Sequence, residues 1–203
     1  KNEKMNATVP LDELYDNLDQ QGIEVFHCST KEVVAVAEPS GYLCIDPQKV
    51  ESTEHEREIL IHEEGHFATN TFYQLDSPYT VREHQENIAV RYGFKKYYSV
   101  EKLLSLMEEG YTEVWQLAEQ LSVREEYVQE MLDYYTQACN VNFAQELAER
   151  KRAREIENDP ITPETLQKLQ GIAFSCDGPL TETSAQDILR FVEMVRGRKS
   201  REK

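Results

Sequence analysis

Two histidines four positions apart are the residues of this chain best suited to hold a metal ion. Residues 62–66 read His-Glu-Glu-Gly-His, which is an H-E-x-x-H pattern. At about 3.6 residues per helical turn, His62 and His66 share one helix face, so both imidazoles can reach one ion. Glu63 lies one step round the helix, where its carboxylate could take a proton from a metal-bound water. The pattern predicts the ligand pair and the general base of a zinc peptidase.

The alternative is that both histidines are ordinary surface residues of a charged helix. The preceding residues favour the metal site, because Ser52 or Thr53 can cap a helix and Glu54 and Glu56 place acid in its first turn. Apolar positions follow at residues 59–61. The sequence therefore predicts that the motif lies in the middle of a helix, as the shared face requires.

A third ligand must come from a second element, because catalytic zinc sites use three protein ligands and leave the fourth position to water. Residues 80–98 have helical spacing and contain three candidates, Glu83, His84 and Glu86. The two glutamates share a helix face, whereas histidine is the softer and better zinc ligand. The residues themselves leave the choice among the three open. The apolar positions expected to pack this helix are Ala89, Tyr92 and Phe94.

The elements that must position these residues predict an α+β fold, with a small three-stranded sheet and mainly helices. Residues 10–21 have apolar side chains at helical spacing, and Gly22 ends that helix. Three segments rich in β-branched and aromatic residues follow at 23–28, 33–37 and 42–45, with a turn before the last. A strand beside the metal helix could also pair with an extended substrate through main-chain hydrogen bonds.

The motif at 62–66 and the run Glu86-Asn87-Ile88-Ala89 together resemble the ImmA/IrrE metallopeptidases of bacteria and their mobile elements. That family carries H-E-x-G-H on one helix and Glu-x-x-Ala on the next, and the resemblance covers roughly residues 10–136. It implies a zincin-like fold, Glu86 as the third ligand, and cleavage of a regulatory protein, a helix-turn-helix repressor. Glu64 stands where the family usually has an apolar residue, and Val90 where it has Asn or Asp.

The charge of the chain argues against direct binding to nucleic acid. The formal net charge is −16, whereas binding to a phosphate backbone depends on Lys and Arg. Residues 114–134 have helix-turn-helix spacing, but the second helix carries Glu125, Glu126, Glu130 and Asp133, which would repel phosphates. We interpret residues 99–139 as a helical lobe of the peptidase. The residues expected to pack it are Trp115, Leu121, Val128 and Leu132.

The sequence favours a cytoplasmic protein. No signal-like apolar segment stands at its start, and the longest aliphatic stretch, residues 33–37, is too short to span a bilayer. The four cysteines form no C-x-x-C pair, so they are expected to be buried or free thiols in a reducing cytoplasm.

Three regions follow from the change in composition along the chain. Residues 1–139 form the expected peptidase domain, residues 140–160 a charged linker or helix extension, and residues 161–203 a helical tail. Within the tail, residues 171–180 (GIAFSCDGPL) and the amphipathic helix after them weakly resemble the C-terminal tails of phage-type repressors. The tail could therefore be substrate-like, or it could serve as a docking or homo-oligomerisation element.

The prediction from sequence is a zinc-dependent, site-specific endopeptidase that cleaves a transcriptional repressor. His62, His66 and Glu86 would hold the metal and Glu63 would activate water. Iron, cobalt and manganese also accept this ligand set. The alternative is a non-hydrolytic, zinc-containing regulator or protein-interaction module. Tyr73, Tyr79 and His84 are candidate donors to an oxyanion, and none is assigned.

Overall fold

Helices make up most of this chain, and a single small sheet accompanies them. A computed structural model describes residues 7–74 and 76–201, with side chains as far as residue 195. The chain is 61% helical, which confirms the predicted α+β class. The elements are α1 (Leu11–Gln20), β1 (Glu24–His27), β2 (Ala35–Glu38), β3 (Tyr42–Ile45), α2 (Thr53–Thr69), α3 (Tyr79–Tyr97), α4 (Val100–Glu108), α5 (Val114–Leu121), α6 (Glu125–Asp133), α7 (Phe143–Asn158), α8 (Pro163–Leu169) and α9 (Glu182–Arg201). A π-helical turn, Tyr134–Ala138, continues α6.

The three strands form a mixed sheet in the order β1-β3-β2. The central strand β3 runs parallel to β1 and antiparallel to β2. Leu43 and Ile45 of β3 are fully buried, whereas Tyr42 points outward and is half exposed. The predicted strands are confirmed, with β2 beginning at Ala35 rather than at residue 33. Within the described residues β2 pairs on one side only, so it is an edge strand.

Helix α2 is the central element around which the first part of the chain packs. Ser52 caps its start by accepting a hydrogen bond from the His55 amide at 3.2 Å, which confirms the predicted N-terminus. Leu60 and Ile61 in its middle have no exposed surface, whereas His62 and Glu63 are partly buried. The helix ends at Asn70, whose left-handed conformation (φ 52°) turns the chain away.

Helices α4 to α6 lie in the segment predicted as a helical lobe, where Leu132 is only partly buried and the prediction for Trp115 is wrong. Leu121 and Val128 are fully buried as predicted, together with Met131. Trp115 is instead 55% exposed. The reason is helical geometry: the buried face of α5 carries Leu117 and Leu121, and a residue two positions before Leu117 points to the other side.

Two cysteines depart from the expectation of free thiols. Cys28 and Cys44 form a disulfide with their Cα atoms 5.9 Å apart, whereas Cys139 and Cys176 are free and exposed. The first pair is brought together by strand pairing, since the Cys28 amide donates to the Ile45 carbonyl at 3.1 Å. No spacing rule in the sequence marks this pairing. Disulfides are typical of oxidising compartments, so the cytoplasmic location stays a prediction.

The chain divides into two compact units, Lys1–Val141 and Asn142–Lys203. In the second unit α7 buries none of its residues, as expected for a charged helix, and α8 begins at the predicted Thr162-Pro163 cap. Glu182 joins α8 and α9 by accepting hydrogen bonds from the Thr162 amide (2.9 Å) and the Thr165 hydroxyl (2.6 Å). None of the helices within the described ranges has the length and apolar character needed to cross a bilayer.

Candidate metal centre

Helices α2 and α3 can approach closely because small residues line their contact. A methyl group on Gly65 would overlap the backbone of Ala89, including its carbonyl oxygen. A methyl group on Gly93 would come within 2.5 Å of the Ile61 side chain. The glycine inside the first motif and the alanine of Glu-x-x-Ala therefore face each other. Because Glu86 lies one turn before Ala89, this contact brings its carboxylate towards the two histidines.

His62, His66 and Glu86 each direct one donor atom at a common point. The Nε2 atoms of the histidines lie 3.0 Å apart, and Oε2 of Glu86 lies 3.0 Å from His62 and 3.4 Å from His66. In a tetrahedral zinc site with bonds of about 2.0–2.1 Å, donor atoms are roughly 3.3–3.4 Å apart. The separations fit that donor set, so this group could hold a metal ion.

In its neutral form, His66 has the tautomer that suits a metal ligand. Its Nδ1 lies 2.7 Å from the Thr71 carbonyl oxygen, and because a carbonyl can only accept, Nδ1 must carry the proton. The Nε2 lone pair then points towards Nε2 of His62. Two nitrogens at this distance need a proton or a cation between them. Burial alone would lower the pKa of His66, but the neighbouring carboxylates of Glu86 and Glu63 raise it above its ordinary value.

Glu86 is held in its ionised form. Hydrogen bonds from His62, His66 and Tyr73 keep the pKa of its carboxyl well below the usual range, although partial burial opposes this. The Tyr73 hydroxyl donates to Oε1 at 2.5 Å, while Oε2 faces the histidines. The contact with Glu86 and burial together raise the pKa of Tyr73 to about 12. Both partners therefore keep these protonation states across the physiological range.

Glu63 lies in the same cavity, and no hydrogen-bond donor contacts its carboxylate among the described residues. Burial raises the pKa of Glu63, the two histidines partly oppose that rise, and the nearby charge of Glu86 adds to it. A carboxylate without partners in a partly dry cavity is a stronger base than one in water. The surroundings of the Glu63 carboxylate therefore favour its acceptance of a proton.

The cavity is about 410 Å³ in volume and is bounded on one side by β2. Ala35, Val36 and Ala37 all line it. Because successive residues of a strand point to opposite faces, three consecutive lining residues mean that β2 presents its edge to the cavity. The aromatic side chains of Phe72 and Tyr73 bound it from the loop after α2.

The opposite side of α2 carries a second polar cluster that the sequence did not reveal. Glu64 is 1% exposed and accepts hydrogen bonds from Gln21 (2.7 Å), Lys96 (2.6 Å) and Tyr97 (2.5 Å). These partners come from the end of α1 and from α3. They explain how a charged residue is accommodated at a position where the ImmA/IrrE pattern has an apolar one. The only sequence signal was that departure.

The other candidates lie away from the donor atoms. Glu83 and His84 are exposed on α3 and do not belong to the cluster of His62, His66 and Glu86. Tyr79 is 67% exposed at the start of α3, where it lines a neighbouring hollow together with Tyr73. Of the three candidates for the third ligand, only Glu86 belongs to the group of donor atoms that could hold a metal ion.

Comparison of the chain with models of protein families, with characterised proteins and with solved structures finds no match.

Proposed function

We propose that this chain is a zinc-dependent, site-specific endopeptidase of the ImmA/IrrE type with a zincin-like fold. The observation that carries the proposal is the convergence of His62, His66 and Glu86 on one point beside Glu63. A site with three protein ligands and an adjacent free carboxylate suits hydrolysis, because a structural zinc site has four protein ligands and needs no base. Zinc is the usual occupant of H-E-x-x-H.

Each residue then has a defined task in peptide hydrolysis. Zinc held by His62, His66 and Glu86 would lower the pKa of a water molecule to about 7 and polarise a carbonyl group. The Glu63 carboxylate accepts the proton of the attacking water and can return it to the leaving nitrogen. Thr71 holds His66 in the tautomer that presents Nε2.

The edge of β2 supports an extended polypeptide as the substrate. Its unpaired main-chain groups border the cavity that contains Glu63, so a substrate segment could add to the sheet as a fourth strand. Such pairing would hold the scissile bond in place without requiring a deep pocket for one side chain. Ala35 and Ala37 would leave room for the side chains of the substrate.

The resemblance to ImmA/IrrE enzymes indicates a helix-turn-helix repressor as the substrate, in the cytoplasm. The acidic chain would recognise such a partner through docking rather than through nucleic acid. The second unit, residues 142–203, would act as a docking, oligomerisation or substrate-like element. Cleavage of the repressor would relieve transcriptional silencing.

Metal analysis of protein purified without chelators tests the site. We expect about one zinc per chain in the wild type and a large loss in Glu86→Ala, because two imidazoles alone bind zinc weakly. Glu83→Ala is the matched control, since it removes a carboxylate one turn earlier on α3 and should retain the metal. Metal kept by Glu86→Ala and lost by Glu83→Ala would refute the proposed ligand set.

Incubation of the zinc-loaded protein with a panel of purified helix-turn-helix repressors tests the activity. A single cut in one repressor, abolished by a zinc chelator and restored by added zinc, is the expected result. Stable metal binding together with repressor binding but no cut would favour the alternative, a non-hydrolytic zinc-containing regulator.

A further inference from the structure

Beyond the four motif residues, the structure contains a tyrosine that touches the third ligand. We infer that Tyr73 is the positioning residue of the metal centre: its hydroxyl holds Oε1 of Glu86 so that Oε2 alone faces His62 and His66. This inference rests on the proposed metal site and adds to it how the carboxylate binds. Tyr73 itself does not ligate the metal.

The two oxygens of Glu86 have different partners. Oε1 accepts the Tyr73 hydroxyl at 2.5 Å, and Oε2 lies 3.0 Å from His62 Nε2. A carboxylate with both oxygens free can bind a metal through one oxygen or through both. Binding through both would occupy the position that a catalytic site leaves to water. The hydrogen bond from the Tyr73 hydroxyl makes Oε1 a weaker metal ligand and so favours binding through Oε2 alone.

The loop after α2 is built to orient two ligands at once. Its turn begins at Asn70. The carbonyl oxygen of the next residue, Thr71, accepts a hydrogen bond from Nδ1 of His66. Two residues later Tyr73 reaches Glu86. Phe72 between them anchors the loop on α2, where its ring packs against Phe67 with centroids 5.3 Å apart. A short, anchored segment therefore fixes both the imidazole and the carboxylate.

The hydrogen bond to Glu86 also argues against Tyr73 as a hydrogen-bond donor to the oxyanion. Its one hydroxyl proton already points to Glu86, and donating to a substrate oxygen would require breaking that short hydrogen bond. Packing alone does not explain the contact either, because the side chain is 44% exposed and a phenylalanine would fill the same space. The hydroxyl is the part of the residue that has a specific partner.

The test compares Tyr73→Phe with Tyr79→Phe, a matched loss of one hydroxyl at the rim of the same region. Zinc affinity is measured by competition with a chromophoric chelator, and coordination is read from the visible absorption spectrum after loading with Co²⁺ alone. In Tyr73→Phe we expect zinc affinity to fall about 10- to 100-fold and the cobalt bands to weaken towards five-coordination. Tyr79→Phe should match the wild type in both readouts.

The outcomes separate this inference from the proposed function. If Tyr73→Phe has wild-type zinc affinity and a wild-type cobalt spectrum, the positioning role is overturned while the metal site stands. If the wild-type protein binds neither Zn²⁺ nor Co²⁺, both fall together. Thermal unfolding of the metal-free variants identifies a general loss of structure, which would lower the unfolding temperature before any metal is added.

Discussion

Glu63 and Glu64 are neighbours in the sequence, but the structure gives their carboxylates opposite surroundings. Glu64 is buried on the side of α2 that faces α1 and α3, where three donors contact it. Glu63 faces the cavity, and among the described residues no donor contacts its carboxylate. Burial raises the pKa of Glu63, and the rise has no compensating hydrogen bonds. One helix thus carries a carboxylate held for structure and another left available for chemistry.

The comparison shows that burial alone does not distinguish a structural charge from a functional one. A buried charge is tolerated when its hydrogen bonds and its counter-charge are supplied, as Lys96 and Tyr97 do for Glu64. A partly buried charge without them raises the free energy of the folded protein, and such sites are typical of catalytic groups. Substitutions that remove each carboxylate in turn therefore test whether Glu64 serves stability and Glu63 serves the reaction.

The largest effect is expected for Glu63→Gln. If Glu63 is the proposed general base, its loss should lower the rate of the proposed repressor cleavage at least about a thousandfold, roughly 4 kcal/mol in activation free energy. The zinc content should not change, because Glu63 does not belong to the ligand set. The free energy of unfolding of the metal-free protein should not fall, since the lost charge had no partner. Cleavage kinetics, metal analysis and urea denaturation check these three statements, and a destabilised variant with normal cleavage would mean that Glu63 serves the fold and not the reaction.

The second largest effect, on stability rather than on cleavage, is expected for Glu64→Ala. Removing this carboxylate leaves Lys96 and Tyr97 without their buried partner, which should lower the free energy of unfolding by about 3 kcal/mol. At a temperature where the variant is folded, zinc binding should persist, because the metal ligands lie on the other face of α2. Urea denaturation measures this loss of stability. Glu63→Ala is the matched control, in which we expect no such loss. Equal stability losses in the two alanine variants would contradict the contrast.

The sequence predicted the part of this site that depends on local periodicity. The i, i+4 spacing of the histidines, the Ser52 cap and the three strands all follow from rules that act within one element. The residues alone did not select Glu86 over Glu83 and His84, because that choice depends on how α2 and α3 cross. Only the motif resemblance pointed to Glu86.

Features that depend on contacts between distant segments were missed for the same reason. The cluster around Glu64 joins three helices, and the disulfide of Cys28 and Cys44 depends on the pairing of β1 with β3. The helical spacing of residues 114–134 predicts Trp115 in the core of the lobe, whereas the direction in which α5 packs leaves it exposed. Spacing within a segment carries no information on these partners.

The smallest expected effect concerns the close contact between α2 and α3 that brings Glu86 towards the two histidines. In Gly65→Ala the new methyl group would overlap the Ala89 backbone, which cannot move aside without separating α2 from α3. We expect a loss of about 2 kcal/mol in the free energy of unfolding and weaker zinc binding, because Glu86 would move away from the histidines. Gly93→Ala is the comparison on α3, where the overlap is with the Cγ2 methyl of the buried Ile61, two helical turns beyond Glu86; it should also lower the free energy of unfolding, but with a smaller effect on zinc binding. Urea denaturation measures both stability losses. Calorimetric zinc titration should separate the two variants, and equal zinc affinities would mean that the close contact at Gly65 does not position Glu86.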